Sequence, residues 1–321
     1  MVPFFFLVHC LSLKPTQIKG MNTLIVIVGP TGVGKSAISI QLARFYSTDI
    51  ISADSRQLFH ELSIGTAVPS EEDLKSVCHH FIQTRSIHHY YNVSEYETEA
   101  IDRINQLFKS KNPLILTGGS MLYIDTICKG IDDIPTVTSE IRTQVMDWYN
   151  QNGLQALQQR LLTLDPEYYR IADLNNPKRL LHAVEVCLMS GKTFTSFRKN
   201  TIIERPFRIL KIGINQNREL LYHRINQRVD QMMQAGLLDE ARSVYPYKAL
   251  NSLNTVGYKE LFSYFDGNCT LEQAIDLIKC STRKYARKQL TWFRKDTEIH
   301  WFEPDQIQEI IAFANDQLKM A

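Results

Sequence analysis

The sequence lacks the cysteine pattern of a metal-stabilised or disulfide-stabilised protein. None of its six cysteines forms a C-x-x-C pair, and their spacing predicts neither a zinc site nor a disulfide framework. They are Cys10, Cys78, Cys128, Cys187, Cys269 and Cys280. Scattered cysteines are typical of reduced proteins in a reducing compartment. The pairs His79-His80 and His88-His89 lack an acidic or cysteine partner at ligand spacing, so we expect no metal there.

A membrane-spanning segment is also missing. Residues 2–13 are apolar but too short to cross a bilayer. No basic segment precedes them and no A-x-A cleavage site follows, which argues against a signal peptide. We therefore expect a cytoplasmic protein with no membrane association. Residues 1–20 are interpreted as an extension upstream of a natural start at Met21, either disordered or the result of a start-site error.

The sequence has little net charge, and its composition is that of an ordinary globular protein. With 36 basic and 34 acidic residues the formal charge is only +2. Such a total does not exclude nucleic-acid binding, because a local basic stripe is what contacts phosphates. The length of 321 residues allows one large core plus a smaller domain or insertion.

A phosphate-binding loop follows the first predicted strand. Residues 23–28 (TLIVIV) form a β-branched run that is typical of a strand buried on both faces of a parallel sheet. The next eight residues fit G-x-x-x-x-G-K-[ST] and lead into a helix predicted over 36–46. They are Gly29, Pro30, Thr31, Gly32, Val33, Gly34, Lys35 and Ser36. Backbone amides and the helix N-terminus would hold a polyphosphate, Lys35 would reach its terminal phosphates, and Ser36 could bind Mg²⁺.

Strands and helices alternate on both sides of a helical stretch. Further strands are predicted over 49–52, 114–116 and 207–214, and helices over 94–108, 218–235 and 271–294, the first of them opened by a Ser94–Glu97 capping box. The pattern predicts an α/β fold: a P-loop NTPase-like three-layer core with a mostly parallel sheet, built from residues 21–129 and 206–321. Residues 130–205 show short amphipathic helices without strands, among them 140–149 and 178–189, and are predicted to form a helical insertion domain.

The loop alone does not distinguish kinases, ATPases and transferases. Enzymes that hydrolyse ATP need an acid after a buried strand, but residues 114–116 are followed by Thr117, Gly118, Gly119 and Ser120. Asp54 instead follows the strand at 49–52. It could hold a metal, accept a proton from a nucleophile, or simply cap the next segment.

Many ordered segments of the chain resemble one family. GPTGVGKS, ADSRQ, IGTAVP, TGGSMLY, NNPKRLLHAVEV, LYHRINQRVDQMMQAGLLDE, TVGYKEL and TRKYARKQLTWFRK run in this order nearly from Met21 to the end of the chain. They are similar to the tRNA dimethylallyltransferases, which transfer an isopentenyl-type group to an adenosine beside the anticodon. Departures are mild: Ser36 and Ser120 stand where many members have Thr, and Arg56 fills a variable position.

The resemblance implies dimethylallyl diphosphate as the donor, with its pyrophosphate in the loop and Mg²⁺ at Ser36. It implies Asp54 as the base that takes the proton of the exocyclic adenine amine, and Thr31 as a hydroxyl near the leaving oxygen. Spacing alone leaves Arg224 and Arg228 equivalent, and the family match favours Arg228 as the pyrophosphate contact. We expect a monomer that binds the anticodon stem-loop of tRNA.

Two sets of residues are candidates for the RNA contact. A predicted basic helix carries Arg283, Lys284, Arg287 and Lys288; the alternative is a solvated face with Trp292 in the core. The family match adds Asp54, Ser55, Arg56, Gln57, Ser120, Arg142, Lys178, Arg179, Leu180, Leu181, His182, Asn254, Thr255, Val256, Gly257, Tyr258 and Lys259. Two other functions stay open: a P-loop nucleotide kinase, and a non-catalytic RNA-binding protein with the loop as a nucleotide sensor.

Overall fold

The computed structural model describes residues 21–199 and 202–320, so the interpretation of residues 1–20 lies outside the described part of the chain. Within it one sheet runs in the order β3-β2-β4-β1-β5-β6, and every neighbouring pair is parallel. Its strands are β1 (Thr23–Val28), β2 (Ile50–Ser52), β3 (His79–His80), β4 (Leu114–Thr117), β5 (Arg208–Ile214) and β6 (His300–Phe302). The predicted α/β class with a mostly parallel sheet is confirmed.

Helices surround the sheet and also form a region of their own. Their bounds are α1 (Lys35–Tyr46), α2 (Glu71–Ser76), α3 (Val93–Leu107), α4 (Met121–Lys129), α5 (Ser139–Leu164), α6 (Pro166–Ile171), α7 (Pro177–Ser190), α8 (Phe194–Phe197), α9 (Arg218–Gln234), α10 (Leu237–Val244), α11 (Tyr258–Phe265), α12 (Leu271–Phe293) and α13 (Ile307–Lys319). No helix in the described ranges is both long and apolar enough to cross a membrane.

Strand β1 shows why the core has three layers. All six of its residues are buried, and alternate side chains belong to different apolar clusters. Leu24 and Val26 join the cluster that includes α3 and α4, whereas Ile25 and Ile27 join the cluster that includes α1, α9 and α13. Since successive side chains of a strand point to opposite faces, helices cover the sheet on both sides.

The described chain divides into two compact units, which we describe separately. The first unit contains the sheet and consists of the residues up to Cys128 and those from Arg205 onward; the second unit is Lys129–Glu204. The predicted divisions, after residues 129 and 205, each lie one residue further along the chain. Helices α5 to α8 of the second unit pack around their own apolar cluster. Gly153, with φ 76° and ψ −175°, interrupts α5 between two helical halves.

Two local predictions were wrong. Helix α3 is capped by Asn92, whose Oδ1 accepts the amides of Ser94 and Glu95, and not by Ser94. Asn is as good an N-cap as Ser and occurs two residues earlier, so it takes the position. The prediction also missed β3 and β6, which have only two and three residues. Segments this short carry no readable periodicity.

The sheet brings three chain segments to one edge. Because β1, β2 and β4 are parallel neighbours, the residues that follow them meet at their carboxyl ends. These residues are the loop Gly29–Ser36 after β1, Asp54 after β2, and Gly118–Ser120 after β4. Ligands of open α/β sheets bind in the crevice outside these ends.

Candidate active site

The loop Gly29–Ser36 has the backbone that an anion cradle requires. Gly29 has φ 146°, and a Cβ on it would lie 2.2 Å from the carbonyl oxygen of Ile214 at the end of β5, so only glycine fits. Gly34 is the N-cap of α1 in the left-handed conformation, and it has no side chain that could cap the first amides of the helix. The first amides of α1 therefore point into the crevice with the positive end of the helix dipole, which favours a phosphate there.

The side chain of Lys35 folds back onto the start of the phosphate-binding loop. Its ammonium donates to the carbonyl oxygens of Gly29 and Pro30, each at 2.9 Å. Burial, assisted by the nearby charge of Arg228, lowers the pKa of Lys35 to about 7, while Asp54 acts in the opposite direction. The two cations and the carboxylate thus share one electrostatic environment. A bound diphosphate would favour the protonated form of Lys35.

Among the described residues, Asp54 uses only one of its carboxylate oxygens to accept hydrogen bonds. Oδ1 accepts the amides of Arg56 at 2.9 Å and Gln57 at 3.3 Å, so the predicted capping role is present. Oδ2 forms no hydrogen bond with any of the described residues, and a Cβ on Gly119 would lie 2.9 Å from it. One oxygen holds the side chain in place and the other is available as a proton acceptor.

The residues around Asp54 connect several loops. The backbone amide of Ser55 donates to Oγ of Ser120 at 2.8 Å, and the hydroxyl of Ser120 donates to that of Ser55 at 2.9 Å. The guanidinium of Arg56 donates to the carbonyl oxygens of Asn251 and Ser252. The side-chain amide of Gln57 donates to the carbonyl oxygens of Thr66 and Ala67. The predicted residues 54–57 and Ser120 therefore form one connected group at the crevice.

Two tyrosines that are not among the predicted site residues border the same group. Burial raises the pKa of Tyr123, on α4, and of Tyr285, on α12, and the charge of Asp54 raises both further. The Tyr285 hydroxyl donates to the Gly119 carbonyl oxygen at 2.6 Å. Both tyrosines belong to segments quoted for the family resemblance, but only the fold shows that they surround one carboxylate.

Both candidate arginines of α9 lie near the loop, at different places. Arg228 is half-buried; burial lowers its pKa and the charge of Asp54 counteracts this. Arg224 is exposed and donates to the carbonyl oxygen of Val33 at 3.4 Å. The structure thus places Arg228 in the electrostatic environment of Lys35 and Asp54, and Arg224 at the outer side of the loop.

The basic side of α12 is partly engaged within the protein. Lys284, Arg287 and Lys288 are exposed, whereas Arg283 is half-buried and donates to Oδ1 of Asn226 at 2.6 Å. Trp292 is 42% exposed and its indole N–H donates to Asp125. Trp292 is therefore not in the core, whereas the RNA contact of the basic side chains stays a prediction.

One of the remaining candidates of the first unit, Tyr258, is held by a glutamate. The carboxylate of Glu240, on α10, accepts the backbone amides of Ser63, Ile64 and Gly65 at 2.8–2.9 Å and the hydroxyl of Tyr258 at 2.7 Å. Tyr258 is fully buried, so we remove its side chain from the predicted RNA surface. Of the other residues of this segment, Asn254 and Lys259 are exposed, Thr255 and Val256 are half-buried, and Gly257 is buried.

The candidates of the second unit divide in the same way. Lys178, Arg179 and His182 are exposed on the first turns of α7, and Arg142 is half-buried on α5. Leu180 and Leu181 are buried in the apolar cluster of this unit. Because both side chains are buried, they are removed from the predicted RNA surface as well.

The fold places an acidic residue and a cysteine beside His80, two partners that were expected to be missing at ligand spacing. Ligand atoms of Asp49, Cys78 and His80 lie within 4.8 Å of one another. The Nε2 of His80 is 3.0 Å from Asp49, and the Lys111 ammonium donates to the same carboxylate. Cys78 stands two residues before His80, but Asp49 is 31 residues away and comes close only in the fold. That no metal binds at this histidine pair stays a prediction. The cluster lies at the amino ends of β2 and β3, opposite the edge with the loop, so it is separate from the crevice.

Comparisons with known proteins agree on one family. A model of the IPP transferase family matches residues 57–296. The "tRNA dimethylallyltransferase 1" of Bacteroides fragilis is 55% identical over 298 residues, covering 93% of this chain and 99% of the relative. The protein of the same name from Bacteroides thetaiotaomicron is 57% identical over 293 residues, covering 91% and 95%.

Solved structures share the fold. The full-length tRNA isopentenylpyrophosphate transferase of Bacillus halodurans superposes with a TM-score of 0.69 at 33% identity, covering 93% of this chain and 97% of its own. A eukaryotic dimethylallyltransferase acting on tRNA has a TM-score of 0.75 at 24% identity, covering 92% and 79%, which bears on the fold alone.

Proposed function

Since the chain belongs to the IPP transferase family, we infer that it is a prenyltransferase that acts on tRNA. It transfers a dimethylallyl group from dimethylallyl diphosphate to N6 of the adenosine 3′ of the anticodon and releases pyrophosphate. The observation that carries this proposal is the shared crevice: a carboxylate with one unengaged oxygen, Asp54 Oδ2, lies in the electrostatic environment of Lys35 and Arg228 at the phosphate-binding loop.

The chemistry of the reaction accounts for each of these groups. The adenine amine is a weak nucleophile, because its lone pair is conjugated with the ring. As its nitrogen bonds to the allylic carbon, the C–O bond to the diphosphate breaks and the amine proton passes to Asp54 Oδ2. A positioned base of this kind contributes about 10²- to 10⁴-fold. The loop amides, Lys35 and Arg228 stabilise the charge that develops on the leaving pyrophosphate.

We assign Thr31 a role near the leaving oxygen. Its backbone amide is already hydrogen-bonded within the protein, but its hydroxyl forms no hydrogen bond with the described residues. The hydroxyl is therefore available to donate to the bridging oxygen as negative charge grows there.

The donor set beside the loop suits a divalent cation. The Ser36 hydroxyl is exposed at the start of α1 and makes no hydrogen bond within the described ranges. Hydroxyl and phosphate oxygens are the hard ligands that Mg²⁺ prefers, so Ser36 would hold the ion together with the diphosphate. When bound, the cation would neutralise charge on the leaving group.

Exposed polar and basic side chains supply the proposed RNA contacts. In the first unit these include Lys284, Arg287, Lys288, Asn254 and Lys259, and in the second unit Lys178, Arg179 and His182. The target adenosine must leave its stack to reach a crevice at the sheet edge, as in other base-modifying enzymes. We propose that the protein acts as a monomer.

The test uses labelled donor and unmodified tRNA. Wild-type protein should transfer label from dimethylallyl diphosphate to the RNA, and it should not phosphorylate nucleoside monophosphates with ATP. Asp54→Asn should lower the single-turnover rate by about 10²-fold or more while tRNA affinity stays within twofold. Asp316→Asn, an exposed change on α13, is the matched control.

The alternatives give different results. Phosphoryl transfer without labelled RNA would indicate a kinase, and neither product would indicate a nucleotide sensor. Equal losses of rate and affinity in Asp54→Asn would make Asp54 a docking residue.

A further inference from the structure

Gln289 links the two sides of the crevice from within α12. Its side chain is fully buried, and both ends of its amide are hydrogen-bonded. Oε1 accepts the backbone amide of Thr31 in the phosphate-binding loop at 2.7 Å. Nε2 donates to the carbonyl oxygen of Gly119, in the loop after β4, at 2.8 Å. One side chain thus bridges two loops that follow adjacent strands.

The position of Gly119 extends this link to Asp54. A Cβ built on Gly119 would lie 2.9 Å from Asp54 Oδ2 and 3.5 Å from Gln289 Nε2, so the carboxylate and the amide flank the same point. Tyr285 secures the arrangement from one turn earlier on α12, because its hydroxyl donates to the same carbonyl oxygen. Gln289 therefore holds the phosphate-binding loop on one side and the backbone against which Asp54 rests on the other.

A buried amide at this position needs a reason. An apolar residue would fill the same volume without desolvating polar groups, and an unpaired buried amide is costly. Both polar groups of the Gln289 side chain find hydrogen-bond partners, and these partners lie 258 and 170 residues away in the sequence. Glutamine supplies one acceptor and one donor at opposite sides of a planar group, which matches one amide and one carbonyl.

We propose that Gln289 is a positioning residue that sets the distance between the diphosphate cradle and the proton acceptor. The proposal rests on the function proposed above. Nucleophile, allylic carbon and base must be aligned at once, and a displacement of about 1 Å can cost about 10²-fold in rate. Gln289 acts through Thr31 and Gly119 and need not touch either substrate.

The experiment compares two substitutions. Gln289→Met keeps the length of the side chain and removes both hydrogen bonds. Its single-turnover rate at saturating substrates should fall by about 10²-fold, with tRNA affinity within twofold of wild type. Gln234→Met, an exposed glutamine at the end of α9, is the matched control and should retain the wild-type rate.

Gln289→Glu tests a second consequence of the arrangement, namely that this side chain lies beside the proton acceptor. It keeps the acceptor for Thr31 but places a second carboxylate beside Asp54, which disfavours the ionised form of both. The acidic limb of the pH–rate profile should move to higher pH. The other groups that face Asp54 are unchanged: the cations Lys35, Arg56 and Arg228 and the phenols Tyr96, Tyr123 and Tyr285.

Each outcome decides the matter. A folded Gln289→Met protein with a rate within threefold of wild type overturns the proposal, as does an equal loss of rate and tRNA affinity. If Gln289→Met does not fold, the profile of Gln289→Glu decides: a shifted acidic limb supports the proposal and an unshifted one overturns it. An inactive wild type would refute the proposed function, whereas an active wild type with unaffected variants refutes only the role of Gln289.

Discussion

Two adjacent glycines allow a sharp test of the position of Asp54. In Gly119→Ala the new methyl would lie 2.9 Å from Asp54 Oδ2, where ordinary contact begins at 3.4 Å, so the carboxylate must retreat by about 0.5 Å. Oδ1 is held by the amides of Arg56 and Gln57, so the retreat rotates the side chain and displaces the proton acceptor. Because about 1 Å of misplacement can cost about 10²-fold, we expect a loss of about tenfold in rate.

The neighbouring substitution should act on stability instead. In Gly118→Ala the methyl would lie 2.1 Å from the carbonyl oxygen and 2.2 Å from the carbonyl carbon of Ala53. These are backbone atoms at the end of β2, and they cannot turn aside as a side chain can. Overpacking of this kind lowers the free energy of unfolding by about 1–3 kcal/mol.

The assay measures both quantities for both variants. Single-turnover transfer of labelled dimethylallyl groups gives the rate, and urea denaturation gives the free energy of unfolding. Gly119→Ala should lose rate with little change in stability, and Gly118→Ala should lose stability. A folded Gly119→Ala protein with the full wild-type rate would refute the claim that Asp54 Oδ2 accepts the proton at its observed position.

Three further predictions concern other parts of the molecule. Replacing Lys284 and Lys288 by Gln should weaken tRNA binding and reduce the slope of log affinity against log salt by about 2 in total; a filter-binding series with an unchanged slope would place both outside the phosphate contact. Glu240→Ala should lower the free energy of unfolding by about 1–3 kcal/mol, because three amides lose their acceptor, and urea denaturation with no change would show that solvent replaces it. Burial of Asp49 favours its neutral form, but hydrogen bonds from Lys111 and His80 outweigh this and lower its pKa below 3.8. Its contribution to stability is therefore present above about pH 4 and lost as the pH falls, so wild type and Asp49→Asn should differ in unfolding midpoint at pH 6 and converge towards pH 3; a constant difference would contradict this.

The sequence predicted several parts of the fold that depend on long regular patterns, although it missed α13. The buried run Thr23–Val28, the glycine loop after it and the helix from Lys35 to Tyr46 all have strong local signals, and each is present. By contrast, strands β3 and β6 are too short for periodicity and exist because β2 and β5 offer them a hydrogen-bonding edge. Their existence depends on tertiary pairing rather than on local preference.

The candidate site shows the same division. The loop and Asp54 are readable because a phosphate cradle and a lone carboxylate after a strand are local features. Tyr123, Tyr285 and Gln289 are not, because their relation to Asp54 exists only once α4 and α12 pack beside the sheet. Tyr258 and the two leucines of α7 show a different error, since they were predicted to contact RNA but are buried. A segment that matches a binding motif also contains residues whose side chains pack in the core and hold the segment in place.

The amides around Glu240 differ from those of the phosphate-binding loop in where their anion comes from. At residues 63–65 consecutive backbone N–H groups converge on one anion, and the chain provides that anion itself. The phosphate-binding loop converges its amides in a similar way, but its counterpart must come from the substrate. Removing the Glu240 carboxylate should therefore do more than destabilise the turn at residues 63–65. It would leave three amides without an acceptor, and these could bind a small oxyanion such as sulfate at a place where no reaction occurs.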